Sequence, residues 1–184
     1  MNETLKTISE RYSCRDFADT PLTTEQVDTI ISAALAAPSA MNSQPWKVIV
    51  VTDKTLIDDL DAAGVEVLAA NSDQSAYERV KSRGGKMLYN APCMVMIVIK
   101  ETPFSRIDCG ILTQNVALAA HSLGLGNVIC AMAGTGLTGP RAEELKKRLE
   151  FPEGFEFGIT VLIGTASSGK EPHELEWDKV IRIK

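Results

Sequence analysis

Three residues near the start of the chain alternate in a way that can do chemistry: Arg11, Ser13 and Arg15. In an extended segment, residues two apart point to the same side. Two guanidiniums and a hydroxyl on one side make a phosphate grip. The competing reading is a solvated surface strand. A second stretch, Ala36-Ala37-Pro38-Ser39-Ala40-Met41-Asn42-Ser43-Gln44-Pro45-Trp46, holds two prolines, two serines, an Asn and a Gln. The prolines fix φ and push Ala37 and Gln44 toward extended backbone. Such a loop holds its donors in place, as ligand recognition requires. A rigid turn with good turn chemistry is the alternative.

Two further motifs suggest nucleotides and fail on inspection. Gly134-Thr135-Gly136-Leu137-Thr138-Gly139 spells G-x-G-x-x-G between an expected strand and helix. A dinucleotide fingerprint starts its helix within the motif and needs a full βαβ unit after it. Here Pro140 opens the helix only after the last glycine. Gly164-Thr165-Ala166-Ser167-Ser168-Gly169-Lys170 approximates a P-loop, but Glu171 stands where Ser or Thr must hold magnesium. Lys170 can still meet an anion as a point charge. There is no G-x-S-x-G elbow and no metalloprotease motif. No nucleophile has a local His partner. The two histidines, His121 and His173, belong to no ligand cluster, which argues against a metal. A phosphate grip and a donor-rich loop without a catalytic dyad suit a protein whose cofactor does the chemistry.

Ala37–Trp46 resembles the A-P-S-x-x-N-x-Q-P-W signature of the FMN-dependent nitroreductase family. Arg11-Tyr12-Ser13-Cys14-Arg15-Asp16-Phe17 resembles that family's R-x-S-x-R-x-F segment. Weaker similarity continues through Leu123-Gly124-Leu125-Gly126 and the strand ending at Ile163-Gly164. The resemblance implies an α+β nitroreductase-like fold, with a central mostly antiparallel sheet flanked by helices, in an intertwined homodimer. It implies an FMN oxidoreductase that uses NADH or NADPH to reduce a small electron-poor acceptor, such as a nitroaromatic or quinone, by a ping-pong mechanism. It assigns Arg11, Tyr12, Ser13 and Arg15 to FMN from one subunit, and Pro38, Ser39, Ala40, Asn42 and Gln44 from the other. Lys86 is expected at the pyrimidine edge of the flavin, with Arg83 nearby. Backbone around Ile129, Cys130, Ala131 and Met132 is expected near the ring, and Lys170 at the phosphate. The resemblance assigns no side chain as obligatory acid or base. Reductive dehalogenation or flavin cleavage on the same fold, a non-catalytic flavin module, and a protein without ligand are the alternatives.

Net charge is −5 over 184 residues, so nonspecific nucleic-acid binding is not expected. Apolar residues make up 45%, the share of a globular domain, and one domain is expected over 1–184. Met1 to Glu10 has no apolar core of a secretory signal. No apolar run reaches a membrane span. The four cysteines, Cys14, Cys93, Cys109 and Cys130, lack paired spacing and read as reduced thiols of a cytoplasmic protein.

These residues need positioning elements. A first helix is expected from Asn2 to about Arg11, with Leu5, Ile8 and Tyr12 at helical spacing. Thr23 and Gln26 fit a capping box opening the next helix. Its buried face is expected at Val27, Ile30, Ile31, Ala34 and Leu35, and Pro38 stops it. Trp46 to Val51 reads as a buried strand. Asp53 caps a helix through Leu56, Leu60 and Val67. Residues 71–85 read as polar and irregular, either a lid or a surface connection. Cys93 to Ile99 reads as a central strand. Ile107 to Leu123 reads as a helix apolar around most of its circumference, covered by a partner subunit or by the chain itself. A short strand at Asn127 to Ala131, a helix from Pro140 to Leu149 and a strand from Phe155 to Ile163 follow. The tail from Gly164 to Lys184 is too polar to form its own core, so it lies along something else or is disordered.

Overall fold

A computed structural model of the chain describes residues 1–183. Lys184, the last residue of the expected tail, lies outside the described residues. Six α-helices are described: α1 (Glu3–Glu10), α2 (Thr24–Leu35), α3 (Lys54–Ala70), α4 (Ser75–Lys81), α5 (Ser105–Ser122) and α6 (Ala142–Arg148). Four strands, β1 (Trp46–Val51), β2 (Cys93–Ile99), β3 (Gly126–Cys130) and β4 (Glu156–Gly164), form one sheet in the order β1-β2-β4-β3. Every pairing is antiparallel. The fold is α+β, as the element string implies.

The sheet is covered on both faces, so the central strand β2 is buried at every position. Its alternation sorts two cores. Cys93, Val95, Ile97 and Ile99 join Ile30 and Ala34 of α2 and Leu112, Val116 and Ala120 of α5. Met94, Met96 and Val98 join Ile57 and Leu60 of α3 and Leu145 of α6. A strand buried on both faces needs a continuous apolar run, and this one has it.

Local signals act where expected. The Thr23–Gln26 capping box is formed in full, and Asp53 caps α3. Tertiary packing alters the rest. In α2 only Ile30 and Ala34 are buried, and Leu35 is exposed, because the helix meets α5 along a narrow stripe. Strand β1 is at the edge of the sheet, so Lys47 and Val50 face solvent and the strand is only partly buried. Residues 71–85 are not irregular throughout: they contain α4, seated through buried Val80.

The literal G-x-G-x-x-G has a packing cause. Its first four residues lie in a 3₁₀ turn at Met132–Leu137 that runs against α3 and β4. A Cβ at Gly134 would lie 2.7 Å from the Phe157 ring, and one at Gly136 would lie 2.6 Å from the Leu60 carbonyl oxygen. Gly139 is pressed likewise against Val67. These glycines admit neighbouring backbone and side chains.

Two apolar surfaces are left open. On α5, Ile107 is 63% exposed, and Ile111 lies on the same face. In the tail Leu175, Trp177, Val180, Ile181 and Ile183 are exposed. Among the described residues, no helix is long and apolar enough to cross a membrane.

Candidate functional site

After α1 the chain becomes extended at Arg11 and runs beside the start of β3. Ser13 bridges Asn127 in parallel, and the Cys14 amide donates to the Asn127 carbonyl at 2.9 Å. Gly126 permits this approach: a Cβ there would lie 2.9 Å from the Cys14 sulfur. The start of the tail runs along the other side. The Ala18 amide donates to the Thr165 carbonyl at 2.9 Å, and Ser167 donates to Asp16 at 3.0 Å. The Tyr12 hydroxyl donates to the Ser168 carbonyl at 3.2 Å.

This threading turns Cys14 into the core and leaves the alternate residues facing outward. Arg11, Tyr12, Ser13 and Arg15 line a cleft of about 200 Å³ opposite Lys170, Glu171, Pro172 and His173. Arg11, one of the lining residues, has a guanidinium nitrogen, Nη1, that is buried without a hydrogen-bond partner. A buried unpaired charged donor is costly, and an anion removes the cost. Three cations and a hydroxyl against a single carboxylate give the cleft the donor set an anion would need.

A second cleft, of about 350 Å³, opens between α3, α4 and the Met132–Leu137 turn. Arg79, Arg83, Lys86, Tyr89, Met132 and Thr135 line it over an apolar floor that includes Leu68, Val80 and Met87. The Lys86 ammonium lies 3.3 Å from Asp58 Oδ1 and 3.7 Å from Asp61 Oδ2. Asp61 is only 2% exposed. Burial pushes its carboxyl above the usual carboxylate value, against the pull of the Met87 and Leu88 amides that donate to it.

Between the clefts lies the end of β3. The Cys130 thiol points into the core, 3.9 Å from the Met87 carbonyl. Burial raises its pKa, against the pull of the Met132 and Ala133 backbone. Only backbone at Cys130 can reach a ligand, while Ala131 is exposed and Met132 borders the second cleft. Ile129 is exposed on the opposite face, toward Cys109, Gly110 and Thr113 of α5.

The Pro38–Gln44 loop lines neither cleft of its own chain. Its backbone corrects the expectation for Gln44, which is not extended but has φ +43, in the left-handed region shared by Met41 and Asn42. Hydrogen bonds override the proline's preference. The Gln44 amide donates to Ser39 Oγ and its side-chain Nε2 to Asn42 Oδ1, each at 2.9 Å. The Ala40 amide donates to Asp108 Oδ1 of α5 at 3.0 Å.

The structure thus gathers Arg11, Tyr12, Ser13, Arg15 and Lys170 in one cleft, and Arg83, Lys86 and Met132 in another. Pro38, Ser39, Ala40, Asn42 and Gln44 stand apart from both within one chain. The sequence reading missed Asp58, Asp61 and Asp108. A signal existed for the first two. Lys54, Asp58 and Asp61 recur at i, i+4 and i+7, one helical face of charge beside buried Ile57 and Leu60.

The profile of the Nitroreductase family matches residues 8–165. A crystal structure of a nitroreductase with bound FMN from Desulfitobacterium hafniense DCB-2 is 48% identical, with a TM-score of 0.95 and full coverage of both chains. An Archaeoglobus fulgidus protein, provisionally named an NADH dehydrogenase/NAD(P)H nitroreductase, is 30% identical over 182 residues, 96% of this chain and 92% of its own. An FMN reductase [NAD(P)H] of Bacillus subtilis is 31% identical over 174 residues, 89% of this chain and 65% of its own. With the family profile spanning most of the chain and a relative 30% identical over nearly all of it, this chain belongs to the nitroreductase family.

Proposed function

We propose that the protein is a cytoplasmic FMN oxidoreductase that takes a hydride from NADH or NADPH and passes it to a small electron-poor acceptor, a nitroaromatic or quinone. The observation that carries this reading is a cleft lined by Arg11, Ser13, Arg15 and Lys170, with Arg11 Nη1 itself buried and unpartnered. That donor set fits a phosphomonoester dianion: charged nitrogens and a hydroxyl, one nitrogen already stripped of water. Arg11, Tyr12, Ser13, Arg15 and Lys170 hold the phosphate end of FMN.

Arg83 and Lys86 meet the pyrimidine edge, and backbone from Ile129 to Met132 meets the ring. When bound, FMN supplies hydride transfer, and its reduction places negative charge on the pyrimidine side of the ring. The cations of the second cleft stabilise that charge by fixed electrostatics. Solvent supplies protons, and donor and acceptor occupy one pocket in turn.

The working form is a homodimer, with Pro38, Ser39, Ala40, Asn42 and Gln44 brought to the flavin by the second subunit. Two features support this. The loop is tied by its own hydrogen bonds and to Asp108 yet lines neither cleft of its own chain, and exposed Ile107, Ile111 and tail apolar residues need a cover. Sedimentation velocity at micromolar concentration tests the dimer, and a monomer there removes it.

An absorption spectrum of the purified protein, followed by anaerobic titration with NADH and NADPH, tests the cofactor. A yellow protein bleached by either nucleotide, then reoxidised by a quinone, is expected. A colourless chain that gains no flavin spectrum with added FMN ends the reading. Flavin bound without turnover of any acceptor indicates a binding module, and release of iodide from an iodophenol indicates dehalogenation.

A further inference from the structure

We propose that Asp61 is a positioning residue for Lys86, fixing where the lysine's charge sits and how much of it reaches a flavin in the second cleft. The inference deepens the FMN reading and rests on it.

Asp61 acts at two points at once. Its Oδ1 accepts from the amides of Met87 and Leu88 at 2.8 and 3.1 Å, the two residues that follow Lys86. Its Oδ2 faces the Lys86 ammonium at 3.7 Å. One buried carboxylate therefore holds both the backbone from which the lysine springs and the charge at its tip. The Met87 side chain, next in the chain to Lys86, is packed onto Gly64 of α3.

Asp58 and Lys54 complete the cluster. Lys86 lies 3.3 Å from Asp58 Oδ1, and Lys54 lies 2.6 Å from the same oxygen. Two ammoniums thus face two carboxylates, and the cluster is formally neutral. Asp61 is the buried member, so its charge is the least screened by water. Its position governs how far the positive charge of Lys86 is offset at the cleft, and hence the reduction potential of a bound flavin.

Asp61→Asn tests this. The substitution is isosteric and keeps an oxygen for the two amides, but it puts an amide donor where the ammonium needs an acceptor. In the FMN-loaded protein the midpoint potential is expected to rise. A shift of about 30 mV is tenfold in a two-electron equilibrium. Lys86→Met is expected to lower the potential. With Lys86→Met already present, adding Asp61→Asn is expected to move the potential by less than half as much as in the parent.

An unmoved potential in Asp61→Asn at full flavin occupancy overturns the proposal. So does an equal shift with and without Lys86. Lys86→Met keeps the idea testable if Asp61→Asn does not fold: no change of potential in that variant means the lysine charge never reaches the flavin. Failure to bind FMN at all sinks the cofactor reading and this inference with it. A flavin-loaded protein with unmoved potentials leaves the cofactor reading intact and ends this one alone.

Discussion

The Ala40 amide donates to the carboxylate of Asp108 at 3.0 Å, across 68 residues of sequence. Asp108 is 2% exposed, and its second oxygen is buried without a partner. The contact pins the tip of a loop in which Met41, Asn42 and Gln44 all have left-handed backbone. Each such non-glycine residue costs on the order of 1 kcal/mol or more and persists only where its surroundings impose it. Asp108→Ala should therefore destabilise the fold by about 2 kcal/mol, the value of a hydrogen bond to a charged group. Asp108→Asn keeps an acceptor and should lose less than half of that. Urea denaturation measures both; equal losses would mean the charge of Asp108 matters and the hydrogen bond does not.

Arg11 and Arg15 face the same cleft, but only Arg11 carries a buried nitrogen without a partner. Charge-assisted contacts are worth about 1.5–3 kcal/mol, so Arg11→Ala should weaken FMN binding by roughly 10- to 100-fold. Arg15→Ala should weaken it less, since its guanidinium stays in contact with water. Titration of the flavin-free protein, followed by quenching of flavin fluorescence, gives both constants. Unchanged affinity in both variants removes the assigned phosphate grip.

Cys93 is buried in β2, and burial pushes its thiol up to about 12. The unfolded chain ionises that thiol near its ordinary value of ~8.5. Between the two values the folded state holds more protons than the unfolded, so stability falls as pH rises through this window. Below ~8.5 the thiol contributes no pH dependence. The slope is up to ~1.4 kcal/mol per pH unit for one thiol. Cys93→Ala should lower stability at neutral pH through the lost sulfur, yet flatten the alkaline slope. Urea midpoints from pH 8 to 11 give the comparison, and parallel slopes would contradict it.

Gly136 and Gly169 belong to the two nucleotide-like motifs, and they answer differently to a methyl group. At Gly136 the added Cβ meets the Leu60 carbonyl oxygen at 2.6 Å; at Gly169 it meets nothing within 4 Å. Gly136→Ala should cost about 1–3 kcal/mol, the range for an overpacked core. Gly169→Ala should stay within about 0.5 kcal/mol of the parent. Thermal melts of the two variants decide it, and a tolerated alanine at Gly136 would show that the turn can move off α3.

What could be read from sequence alone was set by neighbours along the chain. The Thr23–Gln26 capping box, the Asp53 cap and the apolar run Cys93–Ile99 are short-range signals, and each formed where expected. The alternation of Arg11, Ser13 and Arg15 is another, because an extended backbone has a period of two whatever surrounds it. Even the family could be read, since its two motifs lie within residues 11–46.

Tertiary structure decided whatever required a partner from far away. Nothing local to Arg11 reveals that Lys170 and His173 close the cleft around it, or that one of its nitrogens is left unpaired. Gln44 took a left-handed backbone against its proline because Ser39 and Asn42 hold it there. Val80 found a core, which made a helix of a stretch too polar to announce one. Asp61 became an anchor for Lys86 only because α3 and residues 86–88 pack together across 25 positions of sequence. Propensity and periodicity act over a few residues, whereas burial and charge pairing act through space, and folding decides which residues share that space.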